Sequence, residues 1–339
     1  MRRGLGPALW LAGLALLAAP AAGDAAPLCA SDCEDLAGKG ELRESVTVQE
    51  CAASVCHQEG RNLYRQNKHE EALASLDYVQ ETLKGSPSYL LDRGLVLYAL
   101  ERFEEALATF DEILEMRSTS FRAGAQRAHT LARLGKLELA QAQFEAMSEW
   151  PGAQREFREI KTTSYLRGNI GLLKLRRGDL AGGKRDLEEA VEIDGNNALA
   201  NTLLFRVVPS LEDGTLSPGG LTQLTAAFEA IELAQAKRAE ESFRALLEDS
   251  PRYVPGYLIL AQGLIKQNEF AECENLLRLA EQRIPDNVDV KLQRIRCTIL
   301  RVGPSSTAAK PAIAELKSLA AENPDNALGQ KLLFALDEK

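Results

Sequence analysis

The chain has 339 residues and a formal net charge of -9; 45% of its residues are hydrophobic but only 6% are aromatic. An acidic chain of this kind argues against nucleic-acid binding, which requires clustered lysine and arginine, and against a polybasic membrane-surface role. Alanine and leucine supply most of the apolar residues, and both are strong helix formers. The composition therefore favours an all-α fold.

Residues 1–23 have the pattern of a secretory signal peptide. Arg2 and Arg3 precede a short apolar run over Leu9–Ala19, and small residues follow it. The run is shorter than the ~20 residues that cross a bilayer. We expect cleavage before Asp24, export to a periplasm or to the exterior, and a mature chain without a membrane span.

The sequence after the leader repeats with a period of 34 residues. The run Gly60–Tyr64 returns as Gly94–Tyr98, and Glu70–Leu73 returns as Glu104–Leu107. Ala128 takes the glycine position in the third unit. A glycine or alanine where two helices cross lets them approach closely. A period of this length is typical of helix pairs that stack in an array.

With a small residue, leucine and tyrosine on the first helix, alanine on the second and proline at the end of the unit, the chain resembles the tetratricopeptide repeat family. The family's first-helix tryptophan is absent from these units. The resemblance implies an all-α, right-handed α-solenoid of stacked helix-turn-helix repeats. It also implies one concave face lined by the first helix of each pair.

The repeats, their slips and the flanking segments predict the domain organisation. Two prolines, two glycines and an acidic pair in 207–219 predict a loop, which could be a hinge, a binding loop or a decayed repeat. In chain order we predict a signal peptide (1–23), a cysteine-rich helical cap (24–56), a first repeat block (53–206), the loop or break (207–219), a second repeat block (220–326) and a C-terminal capping helix (327–339).

Four of the six cysteines lie close together, at Cys29, Cys33, Cys51 and Cys56. Spacings of four and five residues place each pair on one side of a helix, and clustered cysteines in an exported chain form disulfides. Four cysteines allow three pairings. In two antiparallel helices, the two outer cysteines lie side by side, and so do the two inner ones. This predicts a hairpin linked by Cys29–Cys56 and Cys33–Cys51.

A redox, metal or haem module at these cysteines is the alternative. Four thiolates can bind zinc, and the run from Cys51 to Cys56 and His57 looks like a stretched haem-attachment motif. The spacings fit neither group well, so we predict no metal and no cofactor. Cys273 and Cys297 lie on neighbouring predicted helices, where they either form a bridge or stay buried as thiols.

Candidate catalytic residues are scarce in this sequence. It has 3 histidines, and one of them, His69, falls in a polar turn where we expect it in solvent. There is no glycine-rich phosphate loop after a strand, no metal-type histidine pair and no nucleophile elbow. The sequence therefore predicts a protein that is not an enzyme.

The resemblance places the binding site on the first helices, because in the tetratricopeptide family they bind extended peptides or helices of a partner protein. Asp92 occupies a position of the family's carboxylate clamp and would repel an anion, so we do not predict that clamp. The predicted function is an extracytoplasmic scaffold or adaptor for another protein, and more basic than acidic groove positions suggest a partner with acidic groups. The predicted groove residues are Arg61, Tyr64, Arg65, Leu95, Tyr98, Arg122, Gln126, His129 and Arg133.

Overall fold

The structure is a computed structural model that describes residues 28–39, 47–150 and 159–337. These residues form helices and turns and contain no strand, which confirms the all-α prediction. None of the helices in these ranges has the length and apolarity needed to cross a membrane. The predicted signal peptide lies outside the described residues. The chain divides into two compact units, Met1–Lys84 and Gly85–Lys339.

The first unit contains three helices, α1 (Leu28–Gly38), α2 (Val48–Arg65) and α3 (His69–Tyr78). Helix α2 begins with a reciprocal cap. The Thr47 hydroxyl accepts the backbone N–H of Glu50 at 3.1 Å, and the Glu50 carboxylate accepts the backbone N–H of Thr47 at 2.9 Å. This capping box satisfies two of the amide groups that a helix start leaves unpaired.

Two disulfides join α1 to α2. Cys29 is bonded to Cys56 and Cys33 to Cys51, with Cα separations of 5.1 and 5.9 Å, which are ordinary distances for such bridges. The predicted hairpin and its pairing are confirmed. The prediction for His69 was wrong, because this side chain is buried, and its ring lies 5.4 Å from that of Tyr64.

The second unit consists of successive helices that mostly pair with their neighbours in the chain. They are α4 (Pro87–Ala99), α5 (Phe103–Met116), α6 (Phe121–Arg133), α7 (Leu137–Ser148), α8 (Glu159–Arg176), α9 (Leu180–Ile193), α10 (Ala198–Thr202), α11 (Val208–Glu212), α12 (Pro218–Glu232), α13 (Ala236–Asp249), α14 (Val254–Lys266), α15 (Phe270–Arg283), α16 (Val288–Val302), α17 (Lys310–Glu322) and α18 (Ala327–Asp337).

Small residues stand where paired helices cross, as the repeat predicts. A Cβ atom added to Gly94 on α4 would lie 2.5 Å from the Phe110 ring on α5. One added to Gly171 on α8 would lie 3.0 Å from the carbonyl oxygen of Gly183 on α9. The first distance is shorter than real Cβ contacts and the second is tighter than most of them, so the close packing of these pairs favours glycine.

The turn between the two helices of a pair recurs with a similar backbone, in which one residue has a positive φ in the left-handed region. Such residues end the first helix of the pair and allow the sharp reversal. Asn67, Glu101 and Gly135 lie 34 positions apart in the first block, as do Ala234 and Asn268 in the second. Gly178 lies 43 positions after Gly135, where the period slips.

The predicted loop over 207–219 is wrong for its first half. A π-helical turn, Leu203–Val207, joins α10 to α11, and only the segment from Asp213 to Ser217 is a turn. Pro209 lies in the first turn of α11, where a missing N–H leaves no helix bond unmade. Val207 and Val208 are buried in a hydrophobic cluster that continues from α8 to α16. The core therefore runs through this segment without a break.

The last repeats are closed by a third disulfide and a final helix. Cys273 on α15 is bonded to Cys297 on α16, and both residues are buried. Of the two alternatives for this pair, the bridge is the one that forms. Helix α18 occupies the predicted capping position and packs on α16 and α17. The right-handed course of a superhelix stays a prediction.

Candidate functional site

The first helices of three successive pairs, α4, α6 and α8, line a cavity of about 540 Å³ in the second unit. We call it the first groove. Three predicted groove residues, Leu95, Arg122 and Gln126, lie in its wall. Phe121 and Tyr165 add aromatic surface to it. A volume of this size accommodates several side chains of an extended peptide.

The polar groups of the first groove are mostly cationic. Arg122 and Lys161 are exposed, and neither forms a salt bridge within the described ranges. Asp92 is the single carboxylate among the described residues of the wall. The Thr162 hydroxyl is buried there without a hydrogen-bond partner in the described part of the chain. An apolar surface with two cations at its rim suits a ligand that has apolar side chains and carboxylates.

His129 does not face the first groove as a free side chain. Its Nε2 atom is 2.8 Å from the hydroxyl oxygen of Tyr165, and its ring packs against Phe144 at 5.4 Å. Burial lowers the pKa of His129 and raises the pKa of Tyr165 to about 12, because both charged forms are poorly solvated there. The pair is therefore neutral and fixes the Tyr165 side chain in the wall.

Two further predicted groove residues bind a carboxylate of the chain itself. Arg133 Nη1 lies 2.5 Å from Oε2 of Glu229 on α12, and the Tyr98 hydroxyl donates to the same oxygen at 3.3 Å. The guanidinium of Arg133 also lies over the Phe103 ring, 5.0 Å from its centre. Burial is the largest cause that raises the pKa of Tyr98, and the Glu229 charge adds to it.

More contacts surround this carboxylate. Arg238 pairs with Glu101 at 2.7 Å, and Gln235 donates to the backbone carbonyl of Ala99 at 2.7 Å. We call Tyr98, Glu101, Arg133, Glu229 and Arg238 the Glu229 cluster. It ties α12 and α13 to the carboxyl-terminal ends of α4 and α6, so Tyr98 and Arg133 are already occupied. As groove residues they stay predictions.

The remaining predicted residues, Arg61, Tyr64 and Arg65, lie on α2 in the first unit. Arg65 Nη1 is 3.5 Å from Oδ1 of Asn62, and Tyr64 packs against His69. Their part in binding is untested.

Sequence reasoning missed the α8 side of the first groove, formed by Lys161, Thr162 and Tyr165. The period slips between the third and fourth units, so the offsets used for α4 and α6 were not carried forward. Measured from Gly171, which is the crossing residue of α8, the position that matches Arg122 is Tyr165. This spacing from the crossing glycine could have identified the α8 residues of the first groove from the sequence.

Comparison with known proteins agrees with the fold. Residues 57–121 match the family model described as tetratricopeptide repeat. Residues 57–121 therefore carry tetratricopeptide repeats. No curated protein matches it. Within the described ranges, no group of three or more histidine, cysteine, aspartate or glutamate side chains is placed to hold a metal ion.

The solved structures that resemble this chain are distant from it in sequence. MamA residues 41 to the end from Desulfovibrio magneticus RS-1 is 20% identical and covers 58% of this chain and 94% of its own, with a TM-score of 0.39. A tetratricopeptide repeat protein from Parabacteroides merdae is 13% identical, covering 84% and 98%, with a TM-score of 0.38. Pseudomonas aeruginosa pilF is 15% identical, covering 85% and 100%, with a TM-score of 0.37.

Proposed function

We propose that this chain is a non-enzymatic scaffold that works outside the cytoplasm and binds an extended segment of a partner protein in the first groove. The observation that carries the proposal is the cavity between α4, α6 and α8, which combines apolar walls with two unpaired cations. Tetratricopeptide repeats supply such a surface without catalytic groups.

The extracytoplasmic location is supported by the cysteines. All six are in disulfides, and no free thiol remains. Bridges of this kind persist in oxidising compartments and are rare in the cytosol. The same bridges argue against the alternative zinc or haem module at the N-terminal cluster, because both need thiol sulfur that is already bonded.

A pull-down from an envelope or secretory extract tests the scaffold proposal. The bait is the exported chain, compared with a variant that carries Arg122→Glu and Lys161→Glu. We expect one dominant partner that the variant fails to retain, because the charge reversal turns the rim of the first groove acidic.

The matched control carries Arg206→Glu and Lys317→Glu, which reverse two exposed cations outside the first groove. It should retain the partner and the same thermal transition. A partner held equally by both variants would refute the first groove as the binding site. An absence of any specific partner would refute the scaffold.

A further inference from the structure

A second cavity, of about 390 Å³, lies in the last repeats between α14, α16 and α18. We call it the C-terminal groove. Helices α14 and α16 are the first helices of successive pairs and begin 34 residues apart, and α18 is the final helix, which packs on α16. None of the predicted groove residues lies on this surface.

The floor of the C-terminal groove is apolar. Leu258, Leu328 and Leu332 contribute partly buried side chains from α14 and α18. The size of the cavity suits one or two apolar side chains together with their backbone.

Three cations surround this floor, one from each helix: Lys266, Arg296 and Lys331. Among the described residues that line the cavity, none is aspartate or glutamate. None of the three cations forms a salt bridge within the described ranges. An uncompensated positive site is unusual in a chain whose formal net charge is -9.

Other basic residues on the same helix are paired. Arg294 lies 2.6 Å from Glu281, and Arg301 lies 2.8 Å from Glu274. Two of the four basic residues of α16 are thus neutralised, whereas Arg296 in the cavity wall is not. A charge left without a partner beside an apolar floor is available to a ligand.

A buried amide points the same way. Gln293 lines the cavity, is buried, and its Nε2 atom makes no hydrogen bond in the described part of the chain. A buried donor without an acceptor destabilises a folded protein. A carbonyl or carboxylate oxygen of a bound ligand would supply the missing acceptor.

We propose that the C-terminal groove is a second binding site, specific for an acidic peptide segment with an apolar side chain. The apolar side chain packs on Leu258, Leu328 and Leu332. The carboxylates approach Lys266, Arg296 and Lys331, and a peptide oxygen accepts from Gln293. This second site extends the scaffold proposal. It does not depend on the first groove, because the two cavities are lined by different helices and share no residue.

Selection from a random peptide library on the immobilised, oxidised full chain tests this site. Enriched peptides are then titrated against the wild type by fluorescence polarisation. We expect sequences that combine aspartate or glutamate with leucine, isoleucine or phenylalanine, and binding that weakens as ionic strength rises.

Two variants separate the two grooves. Lys266→Glu with Lys331→Glu should weaken the acidic peptides by about tenfold or more, because like charges then face each other. Peptides whose affinity falls in that variant should bind the first-groove variant, Arg122→Glu with Lys161→Glu, as tightly as they bind the wild type. Enrichment without acidic residues, or acidic peptides that bind the Lys266 and Lys331 variant normally, would overturn the proposal. So would acidic peptides lost only in the first-groove variant, which would leave the scaffold proposal intact.

Gln293→Leu gives an independent readout. Replacing an unpaired buried amide by a similar apolar side chain should raise the thermal midpoint, whereas peptide affinity should fall because the donor is lost. Unchanged peptide affinity in this variant would contradict the role of the amide.

Discussion

Removal of the Glu229 carboxylate, by Glu229→Gln, should destabilise the second unit. Glu229 and Arg133 are largely withdrawn from solvent, with side chains 33% and 15% exposed. The carboxylate accepts a close hydrogen bond from Arg133 and a longer one from Tyr98. A hydrogen bond to a charged group contributes about 1.5–3 kcal/mol. Without the Glu229 carboxylate, Arg133 keeps Glu101 as its charged partner, at the longer distance of 3.3 Å. The free energy of unfolding should fall by about 2–3 kcal/mol.

Urea denaturation followed by circular dichroism measures this change, and hydrogen exchange locates it. Faster exchange is expected at the ends of α4 and α6 and along α12, since the cluster joins them. Glu241→Gln on α13 is the matched control, because its pair with Lys237 is 4.0 Å long and exposed. The control should change stability by less than about 0.5 kcal/mol. If both variants behave alike, the Glu229 cluster does not stabilise the fold.

Three further changes probe the fold. Cys273→Ala with Cys297→Ala should lower the free energy of unfolding by about 3 kcal/mol in urea titrations, because the bridge closes a short loop of the unfolded chain; a loss below about 1 kcal/mol would contradict that account. Gly94→Ala should lower the thermal midpoint and reduce the free energy of unfolding by about 1–3 kcal/mol, because the new Cβ would clash with an aromatic ring on α5. Gly263→Ala, whose Cβ would have no atom within 4 Å, should leave the midpoint unchanged. Burial lowers the pKa of His129, so its contribution to the free energy of unfolding is complete above the ordinary pKa near 6.5 and is lost as the pH falls below that value. In His129→Gln, the free energy of unfolding should therefore decline less between about pH 7 and about pH 5.5. An equal decline in both proteins would refute this.

Much of the fold could be predicted from the 34-residue period of the sequence. Glycine at the crossings and the cysteine spacings are local signals, because each depends on residues one helix or one pair apart. They predicted the helix pairs, the N-terminal hairpin with its two bridges and the final helix. The prediction of a loop over 207–219 was wrong for the first half of that range. Proline and glycine indicated a loop, but Val207 and Val208 are apolar and lie in the core.

The candidate site was less accessible to sequence reasoning. Leu95, Arg122 and Gln126 were found by position within the repeat, and the structure brings them together. The contact of Arg133 with Glu229 joins residues 96 positions apart, and no periodic pattern encodes such a pair. It depends on how the later helices return to the earlier ones, which is a property of the packed second unit.

Site-specific photo-crosslinking in the source cells tests the central claim most directly. A photoreactive amino acid is placed at Gln126, inside the first groove, and in a second strain at Lys317, which is exposed on α17. If the chain is a scaffold that binds through this groove, the Gln126 strain forms a discrete adduct with one partner protein and the Lys317 strain does not. Adducts that are absent at Gln126, or identical at both positions, would contradict the account.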